Sequence, residues 1–399
     1  MQSSQAALAG LKVVEFAHVI AGPLAGTLLA DLGAEVVHVE DPGRGDPQRA
    51  AGPQRNGAHL WWKVSARNKR SVTLDLRSPE GREVARDLVA WADVVITNFR
   101  VSTLERWGLD FASINAVSPK IIVLQVTGYG ARSSRRNQPG FGKVGEAMSG
   151  VVNLTGFPDG PPVHTGFSHG DSVTGLMGAF AIQAALYRRA TDPDFAGEWI
   201  DLALYETLFR LVEWQVVFRD QSGQVPQRAG NRLAAAPAAV INTFRTLDAR
   251  WITVTSGTPR SVQNVARLVG EDVADYATPA MQEERRARLD GILRDWISQR
   301  PLDDCLKIMQ ELEVVASTIY TVDDILADPT YRENGNIVTV EDQDLGPVRM
   351  QGVVPRLVKH PGTVWRSAPP LGADNDIVYG DYLGKSEAEV ARLRERGII

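Results

Sequence analysis

Over residues 12–130, short apolar runs alternate with helical patterns, and this alternation constrains the fold more than any other feature of the sequence. KVVEF (12–16) is predicted as a strand, LAGTLLADLG as a helix ending at Gly33, and EVVHVE (35–40) as a second strand. Further strands are expected at 71–76 and within ADVVITNFR and KIIVLQVTGYG, and a helix in SPEGREVARDLVAWA. Strands that alternate with helices indicate a parallel sheet covered by helices, so we predict the α/β class.

The length of the chain, 399 residues, exceeds what one hydrophobic core usually organises, so two domains are expected. At about residue 222 the sequence changes to QSGQVPQRAGNRLAAAPAA, which is typical of a linker. A strand pair and three short helices follow within 240–320, and strands and a final helix return after about residue 330. We predict a large domain over 1–221, a linker and small domain over 222–329, and a C-terminal part over 330–399.

Composition and charge argue against several functional classes. A net charge of −5 argues against a general nucleic-acid binder. Cys305 is the only cysteine and the six histidines show no ligand spacing, so we predict neither disulfides nor a metal site. The first ten residues lack the basic segment of a signal peptide, and no apolar stretch is long enough to span a bilayer. We therefore expect a cytoplasmic protein without a membrane or nucleic-acid partner.

The end of the second predicted strand resembles a dinucleotide site in one respect only. Glu40 stands where an acid would hold a ribose hydroxyl, but the first turn carries only Gly22 and Gly26, with Pro23 between them. The GxGxxG motif is absent, which argues against NAD binding. The sequence also contains neither the GxSxG elbow of serine hydrolases nor a P-loop.

Basic residues cluster at predicted strand ends and turns. Arg77, Arg100 and the Gly128–Gly130 turn each follow a predicted strand, so they are expected to share one edge of the sheet. Such a cluster in an acidic protein favours a ligand with several phosphates, although each residue could equally be a solvated surface charge. The polar, glycine-rich segment 43–57 is typical of an exposed functional loop.

The segment 165–189, TGFSHGDSVTGLMGAFAIQAALYRR, combines a small-residue loop, one acid and a long apolar helix. The helix is apolar on all sides until Tyr187, which predicts that it is buried. Asp171 lies where the loop meets the helix. Taken alone, it is expected to be an N-cap; the alternative is a carboxylate nucleophile, which is ionised at neutral pH and needs no partner base.

Several motifs occur in a characteristic order along the chain: LAGLKVVEFAHVIAGPLAGTLLADLGAEVVHVEDPGRGD, RNKRSVTLDLRSPEG, ADVVITNFRVSTLERWGL, VTGYG, GKVGE and GDSVTG, with weaker matches in APPLG and RLRERGII. Together they resemble the class III CoA-transferases, the family of formyl-CoA, carnitine and glutarate CoA-transferases. The resemblance implies a Rossmann-like large domain built from both chain ends, a smaller inserted α+β domain, and an interlocked homodimer. It implies no permanently bound cofactor, with coenzyme A and acyl-CoA as substrates.

The resemblance also implies roles for particular residues. The nucleophilic aspartate of the family falls on Asp171. The implied CoA contacts are Ile20, Ala21, Leu74, Asp75, Leu76, Arg77, Asn98, Phe99, Arg100, Arg106, Lys143, Val144, Gly145 and Glu146. Two departures are Asp41, where some members have a basic residue, and Ile20, where some have an amide. TSGTPRS also stands where some members have a glycine-rich flap, so the acyl pocket should differ from that of formyl-CoA transferase.

The implied function is reversible CoA transfer from an acyl-CoA to a free acid through an aspartyl–CoA thioester. The acid is expected to be short-chain or dicarboxylic; Arg49, Arg228 and Arg232 hint at a dicarboxylate such as a succinate-type donor, although all three could instead serve CoA or the surface. One alternative is an acyl-CoA racemase, but the racemase branch has a GHDINY-like segment, and GKVGEAMSG here lacks its His and Asp. The other is a non-catalytic nucleotide- or CoA-binding module in which Asp171 only caps its helix.

Overall fold

The computed structural model describes residues 5–399, and strands and helices alternate along the first part of this range. In chain order the strands are β1 (Lys12–Phe16), β2 (Glu35–Glu40), β3 (Gln54–Arg55), β4 (Ala58–His59), β5 (Arg70–Thr73), β6 (Val94–Thr97), β7 (Ile122–Thr127), β8 (Glu198–Ala203), β9 (Val240–Arg245), β10 (Trp251–Ser256), β11 (Ala316–Thr318), β12 (Ile337–Asp342) and β13 (Gly346–Gln351). The helices are α1 (Ala21–Asp31), α2 (Leu60–Ser65), α3 (Pro79–Trp91), α4 (Val101–Trp107), α5 (Phe111–Val117), α6 (Gly142–Met148), α7 (Val151–Leu154), α8 (His169–Thr191), α9 (Leu204–Leu211), α10 (Trp214–Ser222), α11 (Pro259–Leu268), α12 (Pro279–Ser298), α13 (Leu302–Glu311), α14 (Val322–Ala327), α15 (Pro329–Glu333) and α16 (Glu387–Glu395). Two 3-10 turns, Pro47–Ala50 and Val273–Tyr276, and a π-helical segment, Asp376–Tyr382, are also present.

Six strands form one parallel sheet in the order β5-β2-β1-β6-β7-β8. Val14 in β1 lies opposite Val37 in β2 on one side and Val95 in β6 on the other. These apolar strands are buried on both faces, as parallel strands require. The prediction of an α/β fold around a parallel sheet is confirmed. The strand order reverses between β1 and β6, and ligands of such sheets bind beyond the carboxyl ends at that point.

Local sequence signals account for several of the elements around this sheet. Helix α3 begins at Pro79 because the Ser78 hydroxyl accepts a hydrogen bond from Gly81 N, at 2.9 Å. The strand predicted over 71–76 is shorter in the structure and ends at Thr73. Beyond that point Asp75 N donates to the carbonyl of Ile398, at 2.8 Å, so the C-terminus of the chain takes the place of a strand partner.

Helix α8 is buried on one side only, so the prediction of a helix buried all round is wrong. Gly175, Gly178 and Ile182 face α1 and the sheet, and the two glycines allow the close approach. Leu176 and Phe180 are 59% and 70% exposed. They lie one helical turn apart, so an apolar stripe of α8 is left uncovered by residues 5–399.

The chain divides into two compact units. The larger one takes in the described chain up to Val151, Thr165–Val212 and Pro329–Ile399, and the smaller one Val152–His164 and Glu213–Asp328. The predicted boundaries lie at 221/222 and 329/330, with 152–164 in the large domain, whereas the structure assigns 152–164 and 213–221 to the smaller unit and 329 to the larger one. In the smaller unit β9, β10 and β11 form an antiparallel sheet over a core that includes Phe244, Val265 and Leu293.

Within residues 5–399 no helix has both the length and the apolar character that crossing a membrane requires.

Candidate active site

The loops after β1 and β6 meet where the strand order reverses, and the side chain of Asn98 joins them. His18 N donates to Asn98 Oδ1 at 3.0 Å, and Asn98 Nδ2 donates to the His18 carbonyl at 2.7 Å. A cavity of about 350 Å³ opens beside this junction. Of the residues predicted for the site, it is lined by Ile20, Ala21, Asn98, Phe99, Arg100 and Asp171.

A second cavity, of about 190 Å³, lies at the ends of β2 and β5. Its lining includes the predicted residues Leu74, Asp75, Leu76 and Arg77. His18 and Phe99 line both cavities, so the two adjoin and form one groove. We call this the switch-point groove; it runs from Arg77 to Asp171.

Charged groups at the outer end of the groove are already paired with one another. Arg77 contacts Asp75 through Nε at 2.8 Å and Asp41 through Nη2 at 2.9 Å. The Asp41 side chain also accepts from Gly43 N and Arg44 N, which shapes the turn after β2. Asp41, the departure from the family pattern, therefore orients Arg77 at the mouth of the groove.

Glu40 is occupied and is not free to hold a ribose. Arg49 donates to its two oxygens at 2.6 and 2.8 Å, and Ser71 Oγ and Asp46 N donate as well. Both the missing GxGxxG motif and the hydrogen bonds that Glu40 accepts argue against a dinucleotide site.

The carboxylate of Asp171 lies at the inner end of the groove, in the first turn of α8. The N-cap of the helix is Ser168, so the interpretation of Asp171 as an N-cap is wrong. No hydrogen bond joins its carboxylate to any of residues 5–399. The side chain rests against α6, where a Cβ added to Gly142 would collide with the carboxylate. The sequence interpretation did not include Gly142, although its glycine in GKVGE was the available signal.

Two charged residues of α6 lie behind Asp171 rather than along the groove. The carboxylate of Glu146, which is buried, accepts from Gly170 N at 3.1 Å. Lys143 Nζ donates to Glu146 at 2.9 and 3.1 Å and to the carbonyls of Thr165 and Phe167 at 3.0 and 2.9 Å. Lys143 thus joins α6 to the loop before α8, and Glu146 joins α6 to the first turn of α8.

The remaining predicted site residues lie outside the groove. Arg106 is exposed in α4, Val144 is exposed in α6, and Gly145 is buried against Leu204 of α9. None of the three lines either cavity of the groove.

The environment of Asp171 alters its titration. Burial and, after it, the negative charge of Glu146 raise the pKa of its carboxyl from the usual 3.8 to about 6, against the opposing charge of Lys143. The group is therefore mostly ionised at neutral pH, as nucleophilic attack requires, although less completely than an exposed aspartate.

The three arginines that hinted at a dicarboxylate all have other partners. Arg49 binds Glu40, as described above, and the Pro369 carbonyl. Arg232 contacts Asp290 at 3.2 Å. Arg228 donates to three backbone carbonyls, which are those of Asn153, Phe157 and Gly160. These contacts are structural, so the arginines carry no information about the acid.

No group of three or more His, Cys, Asp or Glu side chains within residues 5–399 is placed to hold a metal ion.

The strand order and the groove that ends at a carboxylate define an α/β protein with a candidate ligand site at the switch point of its parallel sheet. More particularly, the chain belongs to CoA-transferase family III, whose sequence model matches residues 8–375. It is an acyl-CoA:carboxylate CoA-transferase, as the resemblance implied.

Relatives agree with this assignment. The chain is 38% identical to the succinyl-CoA–D-citramalate CoA-transferase of Chloroflexus aurantiacus, over 98% of this chain and 97% of that protein. It is 34% identical to the β subunit of the succinyl-CoA–L-malate CoA-transferase of the same organism, over 98% of both. A crystal structure of a CAIB/BAIF family protein from Brucella suis superposes with a TM-score of 0.82 at 32% identity, covering 94% of this chain and 99% of that one.

Proposed function

We propose that the protein transfers CoA reversibly from an acyl-CoA to a free dicarboxylic acid, with Asp171 as the nucleophile. The observation that carries this proposal is the position of its carboxylate, which faces the inner end of the switch-point groove without a hydrogen-bond partner among residues 5–399. A carboxylate that served only the structure would be expected to accept backbone hydrogen bonds at a helix end.

The chemistry needs one carboxylate and no proton transfer. An Asp171 oxygen attacks the thioester carbonyl, the C–S bond breaks, and CoA leaves as a thiolate while the acyl group stays on Asp171 as a mixed anhydride. The thiolate then attacks the Asp171 carbonyl, and the donor acid leaves as a carboxylate. The acceptor carboxylate reverses both steps and regenerates Asp171. Each step exchanges one activated acyl bond for another, so a difficult reaction is divided into easier ones.

We place the adenosine end of CoA in the outer cavity, between Leu74 and Arg77, and the thioester beside Ile20, Ala21 and Asp171. Arg100, which lines the inner cavity, would bind the phosphates, and Arg106, exposed in α4 outside the groove, would contact CoA only where it extends beyond the groove. Neither guanidinium makes an ion pair or hydrogen bond within residues 5–399. Asn98 and Phe99 would form the wall between the two ends.

We assign Lys143 and Glu146 a supporting role in this scheme. Lys143 donates to two carbonyls of the loop before α8, and Glu146 raises the pKa of Asp171. Both are therefore placed to hold and tune the nucleophile. Val144 and Gly145 lie between them in α6 but outside the groove, so we assign them no contact with CoA.

The choice of a dicarboxylate rests on the relatives, whose names specify succinyl-CoA with citramalate or malate. We therefore propose succinyl-CoA as donor and a short hydroxy-dicarboxylate as acceptor. The enzyme is further proposed to be a cytoplasmic, interlocked homodimer with a large domain built from both chain ends. The uncovered apolar stripe of α8 supports a second copy of the chain as the partner.

The test is to trap the intermediate. Wild-type protein incubated with succinyl-CoA and no acceptor should gain the mass of CoA in a hydroxylamine-sensitive bond on the peptide that contains Asp171. Asp171→Asn should form no adduct, whereas Asp192→Asn, just beyond the other end of α8, should behave as the wild type. An adduct on Asp171→Asn, or α-proton exchange of a chiral acyl-CoA with deuterated water and no adduct, would contradict the proposal; the latter is the signature of a racemase.

A further inference from the structure

The turn between β1 and α1 holds an uncommon backbone conformation next to the nucleophile. Val19 has φ of +70°, a region that β-branched residues rarely adopt. Val19 and Ile20 line the cavity that contains Asp171, and they also line a larger neighbouring cavity of about 810 Å³. We call Val19–Pro23, which includes the first residues of α1, the partition turn, because Val19 and Ile20 belong to the walls of both cavities.

One end of the partition turn is held by Asp46. Both oxygens of this carboxylate accept a hydrogen bond from Val19 N, each at 3.1 Å, and Oδ1 also accepts from Gln48 N at 2.8 Å. Asp46 lies in the segment that the sequence assigned to an exposed loop, yet it is only 1% exposed. That assignment is wrong for Asp46, whose side chain turns inward to reach Val19.

A buried chain of charges connects Asp46 to the other end of the turn. His38 Nε2 lies 3.2 Å from Asp46, and His38 Nδ1 lies 2.7 Å from Glu15. Lys69 Nζ donates to both oxygens of Glu15 at 2.9 Å and to the Pro23 carbonyl at 2.6 Å. The chain therefore contacts the partition turn at its first residue and at its last.

Two observations indicate that the fold accommodates this buried network: space is left for the Glu15 carboxylate, and the buried charges balance. A Cβ at Gly26 would collide with the Glu15 carboxylate, so a glycine in α1 makes room for the charge. Two carboxylates and two cations then balance only while His38 is protonated. Burial alone would lower the pKa of His38, but Asp46 and Glu15 outweigh it and raise this pKa to about 9. The charge of Glu40 also raises the pKa of His38, and His18 is a further titratable group close to His38.

We propose that Asp46, His38 and Glu15 are positioning residues that keep the partition turn in its strained conformation and so set the wall against which the reacting thioester lies. The inference rests on the proposed function in one respect only, which is that the thioester of an acyl-CoA lies against this wall. If the network is weakened, Val19 can relax to an ordinary backbone conformation, and Ile20 and Ala21 move with it. A displacement of this kind lowers the rate of the chemical step more than it lowers substrate affinity.

The test uses Asp46→Asn, which keeps the size of the side chain but removes its charge and one of its two acceptors. We expect kcat for CoA transfer to fall roughly tenfold or more, with KM for the acyl-CoA changed less than about twofold, because the adenosine end of the groove is untouched. His38→Gln should have the same effect, and His38→Lys, which keeps a cation, should recover most of the rate.

The matched control is Asp374→Asn. Asp374 is 3% exposed and contacts Arg70 at 3.0 Å and Arg366 at 2.8 Å, but it lines neither the groove nor the larger cavity. It should lose stability without a comparable loss of kcat. An equal loss of kcat in the two aspartate variants, or failure of His38→Lys to exceed His38→Gln, would show a general structural effect and overturn the proposal.

A measurement without turnover separates this inference from the proposed function. Hydrogen exchange followed by mass spectrometry should show faster exchange of the peptide around Val19 in Asp46→Asn than in the wild type and in Asp374→Asn. Unchanged exchange there would overturn the inference even if CoA transfer is confirmed. A wild-type protein that forms no adduct on Asp171 would instead refute the proposed function, while the exchange result still decides whether Asp46 holds the turn.

Discussion

Replacing Asp171 by asparagine should stabilise the protein at neutral pH while it ends CoA transfer. Burial, with the charge of Glu146, raises the pKa of the Asp171 carboxyl from the usual 3.8 to about 6. A tenfold change in proton affinity is worth about 1.4 kcal/mol, so the ionised side chain costs the folded state about 3 kcal/mol at neutral pH. Asparagine has nearly the same shape and no charge, and therefore avoids this cost.

The sign of the pH dependence follows from the same values. Because the pKa is higher in the folded protein than in the unfolded chain, the folded protein binds more protons between about pH 4 and pH 6. Its stability therefore falls as pH rises through this window, and the cost is fully present above it. In Asp171→Asn this contribution is absent at every pH.

The assay is thermal unfolding of the two proteins side by side at about pH 7.5 and about pH 5. The variant should melt several degrees higher at the upper pH, and the gap should shrink to about half at the lower pH. Asp192→Asn serves as the control: Asp192 is paired with Arg188 at 2.7 Å, so its replacement should not raise the melting temperature at the upper pH. A gap that does not change with pH, or a variant that melts below the wild type at the upper pH, would refute the reasoning.

The other predictions concern residues around the same groove. Glu146→Gln removes a charge that raises the pKa of Asp171, so the acidic limb of the kcat–pH profile should move to lower pH; an unmoved limb would contradict the coupling. Gly142→Ala places a methyl group against the Asp171 carboxylate, so adduct formation should be lost in a protein that melts normally, and a normal adduct yield would contradict the packing. Arg100→Ala should raise KM for the acyl-CoA about tenfold or more, through lost charge-assisted hydrogen bonds, and an unchanged KM would remove Arg100 from the groove. Phe180→Asp should prevent dimer formation, and sedimentation as a dimer would show that the stripe of α8 is not the interface.

The sequence alone determined the elements whose signals are local. Apolar runs such as KVVEF and EVVHVE form β1 and β2 with the bounds predicted, because a buried parallel strand needs only a short continuous apolar segment. Ser78 and Pro79 likewise mark the start of α3 in the sequence, because a cap and its helix are neighbours in the chain. Asp171 could be singled out because the loop and helix around it are also contiguous.

The partners of the charged side chains and the pKa of Asp171 were decided only by the tertiary structure. Arg49, Arg228 and Arg232 look alike in the sequence, yet each is held by a partner that folding brings to it. The raised pKa of Asp171 depends on its burial against Gly142 and on the charge of Glu146, and both residues belong to a different helix, α6. The unburied stripe of α8 was hidden for a related reason, because periodicity shows that a helix is apolar but not which neighbour covers each side.

The partition turn shows the same division most clearly. No local rule places a valine at positive φ, and nothing in the sequence indicates that Asp46, His38, Glu15 and Lys69 form one chain of contacts. These residues come from separate strands and loops, and they meet because the parallel sheet sets β1, β2 and β5 side by side. The sequence determined the framework through local apolar patterns, whereas the ionisation, the strain and the shape of the site depend on interactions between distant residues, which only the folded chain brings together.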